Sequence, residues 1–217
     1  VRDPADAAIV EGLRRGDEAA FRAAYAKYAD RIHGFLLRLS RRREIAEELA
    51  QETWLKLATT ATRLDEDSDL AAWLYTVARN RWVSHRRWSL LDLSRFVAAD
   101  DALSAAMADS ASGEDARLDA RRDLVAVEAA LGRLAAAHRE VLVLVAIEQV
   151  DSETAARVLG INALALRQRL SRARAELSRR LTRGHTGFPG RAREARPNSH
   201  AAVDAGRGVK DHGGGTS

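Results

Sequence analysis

Asp151-Ser152-Glu153-Thr154-Ala155-Ala156-Arg157-Val158-Leu159-Gly160-Ile161-Asn162-Ala163-Leu164-Ala165-Leu166-Arg167-Gln168-Arg169-Leu170-Ser171-Arg172-Ala173-Arg174 is the stretch whose reading decides the fold. Asp151 is placed to N-cap a short helix whose inner face is Ala155, Ala156 and Leu159. Gly160 stands where the chain must turn left-handed, Ile161 closes over the core, and Asn162 can cap a second helix. That second helix buries Leu166 and Leu170 and turns Arg167, Gln168, Arg169, Arg172 and Arg174 outward. A short helix, a tight glycine turn and a helix with an arginine-rich face form the layout of a helix-turn-helix. Its second helix suits the major groove, where Arg forks to guanine and Gln to adenine. An αα-hairpin with a solvated face is the bland alternative, and it leaves this density of arginine on one face unexplained.

Outward from this stretch the chain stays helical. Ala, Leu, Arg and Glu dominate, and only three prolines occur among 217 residues. Upstream, Leu124, Val127, Leu131 and Leu134 lead into Val141, Leu142, Leu144 and Val145 at helical spacing. The second helix of the motif runs from Ala163 to about Leu181. Near the start, a helix over Ala5–Arg15 ends at Gly16, and Asp17 caps a longer one bearing Phe21, Ala24, Tyr25, Tyr28, Ile32, Phe35, Leu36 and Leu39. A basic break at Ser40–Arg43 precedes a helix from Glu44 to about Thr60. A polar loop, Thr60–Asp69, leads to a helix capped by Ser68 or Asp69 that bears Leu70, Trp73, Leu74 and Val77. The expected architecture is all-α. A helical bundle over residues 5–88 and a helix-turn-helix domain over 121–183 are joined by a flexible acidic linker, 89–120. A disordered tail covers 184–217.

Charge is segregated. Arg167 to Arg183 holds seven arginines against Glu176 alone, and Arg79 to Arg95 holds five against Asp92. Asp100 to Asp119 reverses the sign, with six acids against Arg117. Two basic poles on either side of an acidic connector suggest two contacts with a polyanion. In the first pole, Tyr75 and Trp82 add aromatic surface among Arg79, Asn80, Arg81, Arg86 and Arg87. Such interleaving suits melted nucleic acid, with bases stacked on rings and phosphates held by arginine. Glu48, Gln51 and Glu52 share one face of the Glu44–Thr60 helix. An acidic face repels DNA, so any role there would involve a basic protein surface.

Several chemistries are excluded. No cysteine is present, which rules out disulfides and thiolate metal sites. The six histidines are scattered without ligand spacing, and Gly213-Gly214-Gly215 follows no strand and precedes no phosphate-binding Lys. No catalytic residue, metal, cofactor or small-molecule substrate is expected. The start at Val1 lacks a signal pattern, and the longest aliphatic run, Val141 to Ile147, is far short of a membrane span, so a soluble cytoplasmic protein is expected.

Taken in order, three segments resemble the extracytoplasmic-function (ECF) group of bacterial sigma factors. Ala46 to Leu55 is similar to that family's AEDLxQETFL segment, Trp73 to Arg87 to WLxxIARNxxxDHxRR, and Arg139 to Leu177 to REVLVLxxxExLSxxEIAxxLGIxxGTVKSRLxRARxxL. The resemblance covers about residues 18–88 and 121–182. It implies that Glu48, Gln51, Glu52 and Leu55 bind core RNA polymerase. It implies that Tyr75, Arg79, Asn80, Trp82, Arg86 and Arg87 engage the opened −10 element, with a base flipped near the Thr60–Asp69 loop. Arg167, Gln168, Arg169, Arg172 and Arg174 would read the −35 element in duplex DNA. An anti-sigma factor is an implied partner, and the acidic linker would run through a basic channel of polymerase. The chain departs from the pattern at Leu134-Ala135 (Leu-Pro in the family), Thr154 (Glu), Leu164-Ala165 (Gly-Thr) and Ser84 (Asp). Two other readings stay open at this point: a free-standing helix-turn-helix regulator, and an adaptor that keeps the fold without promoter reading.

Overall fold

A computed structural model describes residues 4–92 and 116–185, and eight α-helices with no strand make up these described residues. In the N-terminal half, α1 (Pro4–Arg14), α2 (Glu18–Ser40), α3 (Arg43–Thr60) and α4 (Leu70–Asp92) pack around one apolar centre. The α1–α2 turn uses Gly16 at φ +75°, after which the Asp17 carboxylate accepts the Ala19 N–H at 2.7 Å and starts α2. Tyr28, Ile32, Phe35, Leu36 and Leu39 are the periodic inner face of α2, and all five are buried. They meet Leu49, Trp54 and Leu57 of α3 and Leu70, Leu74 and Ala78 of α4. The polar loop closes through a 3₁₀ turn, Ala61–Arg63, with Ala61 and Leu64 tucked inward. Asp69, not Ser68, caps α4 by accepting the Ala72 N–H at 2.9 Å.

In the C-terminal half, α5 (Ala116–Gly132) and α6 (Ala136–Leu142) flank the short break at Leu134-Ala135. The aliphatic run does not continue as α-helix. Val143–Ile147 is a single π turn, and Gln149 then takes φ +55°. This unwinding lets Glu148, which follows the run, turn inward to a nearly buried position. The helix-turn-helix follows as α7 (Ser152–Leu159) and α8 (Ala163–His185). The Asp151 carboxylate accepts the N–H groups of Glu153 and Thr154, Gly160 sits at φ +66°, and Asn162 accepts the Ala165 N–H at 2.8 Å. The linker and tail expectations fall mostly on residues 93–115 and 186–217, outside the described residues.

Residues 4–92 and 116–185 share a polar seam. Three carboxylates of the C-terminal half, Glu128, Glu140 and Glu148, are buried, and each faces arginine from the N-terminal half. Arg38 reaches Glu128 at 3.0 Å, Arg79 reaches Glu140 at 3.1 Å, and Arg31 lies 3.5 Å from the Glu148 carboxylate while donating to its carbonyl at 2.6 Å. Tyr75 donates its hydroxyl to Glu148 at 2.6 Å. Arg139 donates to the Leu39 carbonyl on one side and to the Leu131, Gly132 and Leu134 carbonyls on the other, closing both helix ends. A Cβ at Gly132 would stand 2.7 Å from Arg41 Nε, so any larger residue there must push that guanidinium aside. Buried charges of this kind hold only when paired and hydrogen-bonded, and these are.

Candidate nucleic-acid interface

Helix α8 carries its expected groups on one side. Leu166, Leu170 and Ala173 are buried against the rest of the domain, while Arg167, Gln168, Arg172 and Arg174 are exposed and Arg169 is half-buried at the flank. The single acid of the helix, Glu176, is turned away from this face. It lies 2.7 Å from His138 Nδ1 on α6 and accepts from Arg180 at 2.6 Å. Those contacts, Arg180 first and His138 second, hold its carboxyl below the usual range. The outward face is therefore positive without an internal acid to screen it, which is what a phosphate backbone needs. The α8 N-terminus and α7 border an open groove of about 670 Å³, lined by Arg157, Gly160, Asn162 and Arg167 among others.

Helix α4 presents its groups differently from the sequence expectation. Tyr75 and Trp82 are not aromatic surface. Tyr75 has no exposed area and Trp82 only 9%. The reason is that α4 is covered on two sides. Phe35 of α2 meets the Tyr75 ring edge-on at 5.3 Å between centroids, and Glu148 of the other half takes its hydroxyl. Burial, with Glu148 second, pushes the Tyr75 hydroxyl far above its ordinary pKa. Arg79 is also engaged, through Glu140. Asn80 is exposed, as is Arg87, while Arg86 is half-buried with its guanidinium 5.8 Å from the Trp82 ring. His85 stacks on the same ring at 6.2 Å. The exposed aromatic of this helix is Trp88, at 73%. It is absent from the aromatic groups expected to stack, although it follows directly on Arg86-Arg87 and lies outside the apolar stripe.

The third face lies on α3. Glu48 and Gln51 are exposed and Glu52 is half-exposed, and Leu55 is 63% exposed beside them. Trp54 anchors the helix from its other side, with Phe21 and Tyr25 of α2 at 6.2 and 4.8 Å. Glu52 lies 3.4 Å from Arg81, so the acidic face borders the basic end of α4 directly. Among the described residues there is no cluster of three or more His, Asp or Glu arranged to hold a metal ion, and no helix long and apolar enough to cross a membrane.

Comparison with known proteins joins these faces. Residues 24–88 match the family described as Sigma-70 region 2, and residues 124–177 match Sigma-70, region 4. The chain is 31% identical over 166 residues to the RNA polymerase sigma factor CarQ of Myxococcus xanthus, covering 75% of this chain and 90% of CarQ. It is 31% identical over 147 residues to the ECF RNA polymerase sigma factor EcfG of Rhodopseudomonas palustris, covering 68% and 77%. Among solved structures, it is similar to CnrH in complex with the cytosolic domain of CnrY (TM-score 0.60, 27% identity, 83% of this chain and 99% of that one). It is also similar to the sigma factor RpoE bound to the anti-sigma factor NepR from Bartonella quintana (TM-score 0.62, 27% identity, 75% and 96%).

Proposed function

Since the chain belongs to the ECF group of the sigma-70 family of RNA polymerase sigma factors, we propose that its two halves divide promoter recognition between them, at the faces described above. The protein is a promoter-specificity subunit, not an enzyme and not a free-standing regulator. The observation that carries this is the presence of both regions, in order, in one chain.

In the proposed division, residues 5–88 dock on core polymerase through Glu48, Gln51, Glu52 and Leu55 and engage the opened −10 strand through Asn80, Arg86 and Arg87, with Arg79 joining them once it is released from Glu140. Trp88 takes the stacking place that buried Tyr75 and Trp82 do not offer. Residues 121–183 read the duplex −35 element through Arg167 and Gln168, with Arg169, Arg172 and Arg174 on phosphates. The protein works in the cytoplasm, beside core polymerase. An anti-sigma factor is its expected antagonist, because CnrH and RpoE are similar to it and each is seen with such a partner or a partner's cytosolic domain.

The test is run-off transcription on genomic fragments with purified chain and core polymerase. Discrete start sites should appear only with both components, and the chain alone should shift no promoter specifically. A specific shift of the same fragments without core would refute the reading.

A further inference from the structure

The outward face of α8 holds one group that charge does not explain. Leu164 is 57% exposed in the first turn of the helix, whereas Leu166 and Leu170 on the opposite side are buried. At about 100° per residue, Leu164 lies at the middle of the exposed arc. Gln168 is about 40° to one side, Ser171 about 20° to the other, and Arg167 about 60° round on that same side. Below it along this arc stand Ser171, Ala175, Ser178 and Thr182, all exposed and all small or polar, so Leu164 is an isolated large apolar side chain in that row. Its place is held firmly, because Asn162 caps the turn through the Ala165 N–H.

An exposed leucine needs no explanation by itself. Here its position supplies one. The first turns of a recognition helix are the part that reaches base edges, and the apolar feature of the major groove is the 5-methyl group of thymine. Gln168 lies one turn further along, about 6 Å, close to two base-pair steps at about 3.4 Å each. Leu164 and Gln168 can therefore address base pairs two steps apart while Arg167 and Arg172 flank them.

We propose that Leu164 is a specificity-determining residue that packs on the 5-methyl group of one thymine in the −35 element. This rests on the reading of α8 as the −35 helix.

The experiment uses full-length protein with core polymerase, on a promoter found by run-off and randomised across its −35 region. Wild type, Leu164→Ala, Leu164→Met and Gln168→Ala are compared for the sequences that support transcription. Wild type should enrich thymine at one position, and replacing it with deoxyuridine, which removes only the methyl group, should lower open-complex formation about fourfold. Leu164→Ala should lose both the thymine preference and the deoxyuridine effect, Leu164→Met should keep both, and helical content should be unchanged throughout. Absence of a thymine preference in wild type would overturn the proposal. So would persistence of the deoxyuridine effect in Leu164→Ala, or an equal loss of transcription on every sequence. In those cases, if wild type still enriches a −35 sequence and Gln168→Ala relaxes it, only the Leu164 assignment falls. If no −35 sequence is enriched at all, the reading of α8 falls with it.

Discussion

Glu148→Ala tests whether the two halves pack in solution as they do across the seam. Glu148 is 6% exposed and Tyr75 not at all, so removing the carboxylate leaves the Tyr75 hydroxyl buried without an acceptor. An orphaned buried hydroxyl costs about 1–3 kcal/mol. The arginines add less. Arg31 is 41% exposed and can turn to water, and Arg38 keeps Glu128 at 3.0 Å. Relief of the Glu148 desolvation cost works the other way. The net expectation is a loss of about 2 kcal/mol, and Tyr75→Phe in the same chain should recover about 1 kcal/mol of it, since the orphan is then gone. Urea denaturation of the full chain measures this. All four tryptophans, Trp54, Trp73, Trp82 and Trp88, lie in the N-terminal half, so fluorescence reports that half while far-ultraviolet circular dichroism reports both. In wild type the two signals should coincide. In Glu148→Ala the dichroism transition should begin earlier, as the C-terminal half comes away. A change below about 0.5 kcal/mol with additive behaviour in the double variant would refute the seam.

Reversing Glu48 and Glu52 to lysine together should weaken binding to core polymerase roughly tenfold and leave helical content intact, as their exposure allows; titration of labelled protein with core enzyme checks this. Asn80→Ala should fail to form open complexes on a closed promoter and regain much of that activity on a template whose −10 bubble is already open, because unpairing has been removed from the work. Asp151→Ala should cost about 1 kcal/mol and Asp151→Asn much less, since Asn also caps. The backbone N–H of Thr154 holds the Asp151 carboxyl below its ordinary 3.8, so this stability is present above about pH 4 and fades as pH falls through the lower folded value. The alkaline limb has the opposite sign. Burial raises the Tyr28 and Tyr75 hydroxyls above their ordinary 10.0, so stability is full below about pH 10 and falls as pH rises beyond it; Tyr75→Phe should make that loss shallower in urea midpoints.

Elements whose signals are local were legible in the sequence. The caps at Asp17, Asp151 and Asn162 each depend on a side chain and a backbone N–H within three residues, the left-handed turn at Gly160 depends on its missing Cβ, and the structure holds each of them. The inner stripe of α2 and the outward face of α8 follow from a 3.6-residue period that any apolar core imposes on a helix packed from one side. The π turn at Val143–Ile147 left no such trace, because an unbroken aliphatic run reads the same whichever way it is wound.

Helix α4 shows where one-sided periodicity misleads. Its sequence offers Leu70, Trp73, Leu74 and Val77; the structure buries Leu70 and Leu74 but adds Tyr75, Ala78 and Trp82, and leaves Trp73 and Val77 only half-covered. Tyr75 is drawn in by a carboxylate 73 residues later, and Arg79 by one 61 residues later. A polar seam is invisible to hydropathy, because Tyr, Arg and Glu count as surface until the partner is known. The two aromatics expected to stack are thus the two held by packing, whereas Trp88, six residues beyond Trp82, faces outward. Leu164 differs from the leucines around it in the same way. Its neighbours at Leu166 and Leu170 keep to the buried period, and Leu164 does not, so its side chain takes no part in the core of this half and stands open on the arginine-bearing face.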